Sequence, residues 1–92
     1  MALSFEWNEN KASTNFKKHN VTFEEATTVF GDILSITISD PLHSSGEERF
    51  IIIGYSCKHR LVVVVHTERG NNIRIISARS ATKGERNFYE NK

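Results

Sequence analysis

The stretch that decides the fold is residues 61–79, LVVVVHTERGNNIRIISAR. Two β-branched apolar runs flank the turn signal Gly70-Asn71-Asn72, which predicts two antiparallel strands joined as a hairpin. Its polar groups fall at defined places. His66, Glu68 and Arg69 close the first strand, and Arg74 and Arg79 interrupt and end the second. A proton-transfer pair and three guanidinium groups thus ride on one stiff ribbon, an arrangement suited to handling phosphate.

Register decides which of these groups meet. Side chains alternate between faces, so His66 and Glu68 point the same way. A two-residue loop at Gly70-Asn71 sets His66 across from Ile75, with Arg74 on the opposite face. A three-residue loop at Arg69-Gly70-Asn71 sets His66 across from Arg74 itself. The sequence is compatible with both.

Outward from the hairpin, the upstream half reads as two helices and then strands. Phe5-Glu6-Trp7 is a short strand or extended lead-in. Asn8 is an N-cap, with Glu9 favourable in the first turn, for a helix running to about His19. Ala12 and Phe16 make its apolar pair, and Lys17, Lys18 and His19 offset the dipole at its end. Thr22 and Glu25 form a capping box for a second helix ended by Gly31, with Phe23, Ala26, Val29 and Phe30 as its apolar face. Residues 33–39 alternate with period two, which predicts Leu34, Ile36 and Ile38 on one strand face. Residues 40–46 form a loop, residues 47–55 a strand and residues 56–60 its turn. Thr82 with Glu85 opens a short C-terminal helix carrying Arg86, Phe88 and Tyr89. The expected class is α+β: two N-terminal helices packed on an antiparallel sheet of about four strands, closed by a short helix.

Length and charge set the limits. A chain of 92 residues makes one small domain, residues 1–92, burying roughly 60–70% of its unfolded surface. No apolar run approaches the ~20 residues that span a bilayer. MALSFEWNEN has no basic n-region and no apolar h-region, so a secretory signal is not expected. The one cysteine, Cys57, is expected to be inert, with no metal-ligand spacing near it. The expectation is a cytoplasmic protein with no cofactor and no metal. The net charge of +1 conceals an asymmetry: residues 1–56 hold four Lys and Arg against eight Asp and Glu, while residues 57–92 hold eight against three. A basic half of net +5 beside an acidic half of net −4 suggests one face for a polyanion and another for a different partner.

Five blocks now carry a resemblance: FEWNENKA, KHNVTFEEA, DPLHSSGEER, LVVVVHTERG and IRIISARSAT. Together, in order and spacing from Phe5 to about Tyr89, they resemble the BrnT family of bacterial type II toxins. The resemblance implies a ribonuclease of RelE-like fold that blocks translation. It also implies a BrnA-type antitoxin with a ribbon-helix-helix domain, whose complex with the toxin represses its own operon; contact with DNA would then be indirect. Two departures stand out. Asn8 replaces a common Asp, which leaves capping intact. Gly31-Asp32-Ile33 replaces a more usual Asp-Asp-Pro turn, which is expected to lengthen the following strand.

Metal-free RNA cleavage needs a base for the 2′-hydroxyl, an acid for the leaving 5′-oxygen, and cations around a crowded anionic transition state. Arg79 and Arg74 are the first candidates for the cationic role, because the guanidinium fork holds two phosphate oxygens and stays charged. His66 and Glu68 are the candidates for proton transfer. Arg69, Lys18, His19 and Trp7 are candidates for contact with RNA, and Glu47-Glu48-Arg49 for orienting the arginines. Tyr89 resembles a C-terminal tyrosine that some RelE-like toxins hold near the cleaved phosphate, and His43 reads as an ordinary loop residue.

Each has a structural alternative. His66 serves equally well as a hydrogen-bonded histidine at a sheet end, and Glu68-Arg69 as a turn pair. Arg74 fits a solvent-facing strand position. Trp7 beside a first helix is more often core, and Lys18 and His19 are accounted for by the helix dipole. Arg79 lies just before a helix N-terminus, where a cation is electrostatically unfavourable, and this misfit points to function. Two other function classes remain: a non-catalytic RNA- or ribosome-binding inhibitor, and an inactive antitoxin-binding module.

Overall fold

In the computed structural model, residues 3–43 and 46–91 are described, the side chain of His43 excepted. The stretch 44–45 of the expected 40–46 loop therefore lies outside the described residues, as does the reading of the His43 side chain. In chain order the elements are β1 (Ser4–Glu6), α1 (Glu9–His19), α2 (Phe23–Thr28), a 3₁₀ turn (Val29–Gly31) and β2 (Ile36–Ser39). A second 3₁₀ turn (Pro41–His43), β3 (Phe50–Tyr55), β4 (Leu61–Arg69), β5 (Asn72–Ser80) and α3 (Lys83–Glu90) follow.

The sheet has five strands in the order β1-β5-β4-β3-β2, where about four were expected. The fifth is β1, which pairs parallel with the start of β5, Ser4 opposite Asn72 and Glu6 opposite Arg74. The sheet is therefore mixed. Of the two readings of Phe5-Glu6-Trp7, a short strand or an extended lead-in, the strand is made, one residue earlier at Ser4–Glu6, and the neighbouring edge supplies its hydrogen bonds.

The helices start where the caps predict. Asn8 accepts the Lys11 amide at 3.1 Å, and Asn20 ends α1 in the left-handed region at φ 59°. On α2, Thr22 accepts the Glu25 amide, but the capping box is only half made. The Glu25 carboxylate is drawn instead to Ser56 at 2.6 Å and to Arg60. That pairing, led by the Arg60 hydrogen bond, holds the Glu25 carboxyl below the usual range. On α3 the box between Thr82 and Glu85 is complete.

Two layers of side chains sandwich the sheet. Phe23, Ala26 and Val29 of the second helical segment meet Ile52, Val62, Val64, Ile73, Ile75 and Ala78, with Phe5, Trp7, Ala12 and Phe30 against them. Phe16 is not part of this core and is largely exposed. On the other side, Tyr89 of α3 packs on Ile53, Leu61 and Val63. The expected long strand at residues 33–39 shortens to Ile36–Ser39, so the Gly31-Asp32-Ile33 departure does not extend it. Asp32 turns the chain there, accepting the Leu34 amide at 3.0 Å on one oxygen, and the Tyr55 amide and the Tyr89 hydroxyl on the other. Ile33 and Leu34 are left exposed. Opposite this turn, Gly54 admits close packing: a Cβ there would sit 3.0 Å from Ser35 Cβ and 3.1 Å from Val29 Cγ1. Likewise, residues 47–49 precede β3 rather than forming part of it.

Candidate functional site

The hairpin adopts the two-residue loop. Arg69 pairs with Asn72, Thr67 with Arg74 and His66 with Ile75, and Gly70 takes φ 62° at the turn, where a Cβ would be strained. At Val65/His66 the register then shifts, because Val65 pairs with Ser77 and leaves Ile76 as an extra residue on β5. This β-bulge decides the site. Arg74 and Arg79 are five residues apart, so an unbroken strand would place them on opposite faces. The inserted residue reverses the alternation and brings both to the face away from α1 and α2.

His66 and Glu68 are on the other face. His66 is fully buried, edge-on to Phe30 at 4.8 Å and stacked on Phe50 at 5.8 Å between ring centroids. Its Nε2 lies 2.9 Å from Glu68 Oε2. Of the two registers the sequence allows, this is the one that sets the acid–base couple and the arginines on opposite faces of the sheet. The physical reason is strand parity: His66 shares the face of Val62 and Val64, which meets the helical side of the sheet, and packs there on Phe30.

Arg79 is held in a fixed pose. Its Nη1 and Nη2 donate to Glu85 Oε1 and Oε2 at 2.7 and 2.8 Å. This bidentate pair, chiefly through its hydrogen bonds, lowers the Glu85 carboxyl to about 2 and raises the guanidinium further. It also resolves the misfit of a cation before α3, since the capping-box glutamate serves both the helix and Arg79. Around Arg79 a cleft of about 310 Å³ is lined by Asp40, Arg49, Ile51, Val65, Ile76 and Ser77. Asp40 and Arg49 reach it because the Asp40 amide donates to the Arg49 carbonyl at 2.8 Å, closing the 40–49 excursion at the end of β2 and β3.

The remaining candidates separate. Arg74 pairs with Glu6 at 3.3 Å and Arg69 with Glu47 at 2.9 Å, both in solvent. Trp7 packs edge-on against Phe23 at 6.0 Å as part of the core. Tyr89 is buried with its hydroxyl 2.6 Å from Asp32, and burial pushes it up to about 12. It anchors α3 and does not line the Arg79 cleft. Lys18 and His19 line a second cleft of about 340 Å³ with Asn10, Lys11, Thr14, Asn15, Ile76 and Ser77. Among the described residues no group of three His, Cys, Asp or Glu side chains converges on one point, and no helix is long and apolar enough to cross a membrane.

Sequence reasoning missed Asn15 and the direct part of Arg49 and Asp40. Asn15 is a buried polar residue on α1 whose side-chain amide donates to the Val21 and Ala78 carbonyls and accepts the Ala78 amide. It substitutes for a strand along the part of β5 that β1 leaves uncovered. Its signal was weak, an Asn between Thr14 and Phe16 on a mostly polar helix. Arg49 was visible only as one of three charges at a strand entry.

The family model for the BrnT ribonuclease toxin of type II toxin–antitoxin systems matches residues 7–85. Among solved structures, the Brucella abortus ribonuclease toxin BrnT is similar at a TM-score of 0.64 and 22% identity. That match covers 89% of this chain and 100% of the other. At this identity it shows a shared fold. No protein of curated function matches the sequence.

Proposed function

This chain belongs to the BrnT family of ribonuclease toxins of type II toxin–antitoxin systems, and from that premise we propose that it cleaves RNA without a metal ion at the cleft beside Arg79. The observation that carries this reading is the pre-set Arg79 guanidinium. Glu85 fixes its orientation while the side chain, 40% exposed, lines the cleft.

In the reaction the substrate 2′-hydroxyl loses its proton and attacks the adjacent phosphorus, and the bond to the 5′-oxygen breaks as that oxygen gains a proton. The products are a 2′,3′-cyclic phosphate and a 5′-hydroxyl. Arg79 holds the non-bridging oxygens through the N–H groups that Glu85 does not occupy, and Arg49 adds a second positive charge in the same cleft. Fixed cations need no reorganisation as negative charge develops, so the mechanism is mainly electrostatic. His66 has a structural role, because an enclosed ring on the far side of the sheet cannot exchange a proton with the cleft. Asp40, which lines the same cleft, is the group placed for proton transfer.

The fold is read as RelE-like, the site of action as the cytoplasm and the effect as arrest of translation. A BrnA-type ribbon-helix-helix antitoxin silences the chain by covering the arginine face with acidic residues, and brings the complex to operator DNA. Antitoxin affinity is then expected to fall steeply with salt. The deciding experiment incubates the chain with a defined single-stranded RNA and EDTA, beside Arg79→Ala. Cleavage by the parent to cyclic-phosphate ends, with a loss of about 10²-fold or more in the variant, supports the reading. Equal cleavage by both removes Arg79 from the site, and no cleavage by the parent sinks metal-free action on free RNA.

A further inference from the structure

The cleft between α1 and the β5 bulge is cationic without an evident structural cause. Lys11 and Lys18 stand seven residues apart on one side of α1, with Thr14 between them and His19 at the end. Ile76 and Ser77 form the opposite wall. Among the described residues no carboxylate lines it. Helix electrostatics accounts for Lys18 and His19 in the last turn, but not for Lys11 in the first, where a cation opposes the dipole. Among the described residues none of these three side chains has an acidic partner, whereas Arg60, Arg69, Arg74 and Arg79 each have one.

Ile76 and Ser77 also line the Arg79 cleft, so the two spaces adjoin across the bulge. A chain seated on Arg79 and crossing β5 enters the lysine cleft next. Its walls combine exposed cations, two hydroxyls and the partly exposed Ile76, which are complements for a phosphate, a sugar and the face of a base.

We infer that the α1–bulge cleft is the subsite for the nucleotide adjoining the scissile phosphate of a single-stranded RNA, with Lys11 and Lys18 on its phosphate and Ile76 beneath its base. The inference rests on the reading of the Arg79 cleft as the cleavage site. An acidic protein segment would satisfy the lysines, but it has no use for continuity with the cleavage site.

The test is fluorescence anisotropy of a 2′-O-methyl RNA oligomer, which cannot be cut, against the parent chain and the double variant Lys11→Ala/Lys18→Ala. Titrations run between 50 and 200 mM salt, on the order of the range over which phosphate contacts weaken. The expected result is affinity lower by about tenfold at low salt, with the slope of log K against log salt reduced by about 1.4, two contacts at roughly 0.7 each. Both lysines are solvent-exposed, so the melting temperature is expected to be unchanged. Equal affinity and slope in parent and variant overturn the subsite, while Arg79→Ala still reports on the cleavage site separately. A variant that loses affinity only for purified antitoxin, and not for the oligomer, also overturns it and marks the cleft as a protein contact. A parent that neither binds nor cuts RNA overturns the reading beneath it.

Discussion

The two faces of the β4–β5 hairpin carry the same kinds of residue and use them differently. On the helix-packed face, His66 is wholly buried against Phe30 and Phe50, and among the described residues its polar contact is Glu68. On the other face, Arg79 is fixed by Glu85 yet keeps a cleft open before it. One face buries its titratable group to complete a core; the other orients its charged group and leaves it reachable. A polar residue on a strand is therefore not located by its chemistry but by the parity of the strand, and here that parity changes at Ile76.

Deleting Ile76 attacks the comparison directly. Without the bulge, either Ile73 and Ile75 or Ala78 and Arg79 must exchange faces. The expected cost is on the order of 5 kcal/mol, enough to unfold many small domains. Urea unfolding measures it, and a variant of unchanged stability that still cleaves RNA would show that the bulge sets neither face. His66→Ala should cost roughly 2–4 kcal/mol by leaving a cavity between two aromatic rings. Cleavage per folded molecule, measured well below its melting point, should remain at the parent rate. A hundredfold loss of rate at full folding would return His66 to the chemistry.

Acid sharpens the difference. The Glu85 carboxyl is depressed to about 2, first by its Arg79 hydrogen bond, and Glu25 is lowered in the same direction by Arg60. A carboxyl that binds protons more weakly folded than unfolded stabilises the fold above its unfolded value. That contribution is lost as pH falls from about 4.5 toward 2. Glu85→Gln should flatten the stability profile over that window, as followed by circular dichroism; an unchanged profile would show the pair to be ineffective in solution. The smallest effect belongs to Arg74→Ala. Its Glu6 pair is open to water on both sides, so stability should move by under about 1 kcal/mol. Cleavage should change less than for Arg79→Ala, and an equal loss would place both arginines on the reacting phosphate.

Most of the architecture was legible locally. Asn8, Thr22 and Thr82 each mark a helix start because a capping side chain and the first-turn amides lie within three residues. Residues 61–69 read as a strand because a continuous β-branched run ending at a turn signal packs well on a pleated sheet. The family resemblance was legible as well, through five ordered blocks that lie, apart from Phe5 and Glu6, within the residues 7–85 matched by the family model. What stayed open or failed was what depends on a distant partner. Ser4–Glu6 becomes a strand only through β5, residues 33–35 leave the strand because Asp32 is claimed by Tyr55 and Tyr89, and Glu25 leaves its cap for Arg60.

For the site, the sequence by itself determined its components: an arginine set apart before a helix, a glutamate three residues after a threonine cap, and two lysines a heptad apart on one helix. Their chemistry and local geometry are properties of short segments. Only the tertiary structure decided which of them share a space. The bulge at Ile76 turned Arg79 away from His66, Asn15 stitched α1 to the open edge of β5, and the 40–49 excursion carried Asp40 and Arg49 to the cleft. The physical reason is that strand parity and edge pairing are settled by hydrogen bonds between segments far apart in the chain, and a single extra residue inverts every side chain beyond it.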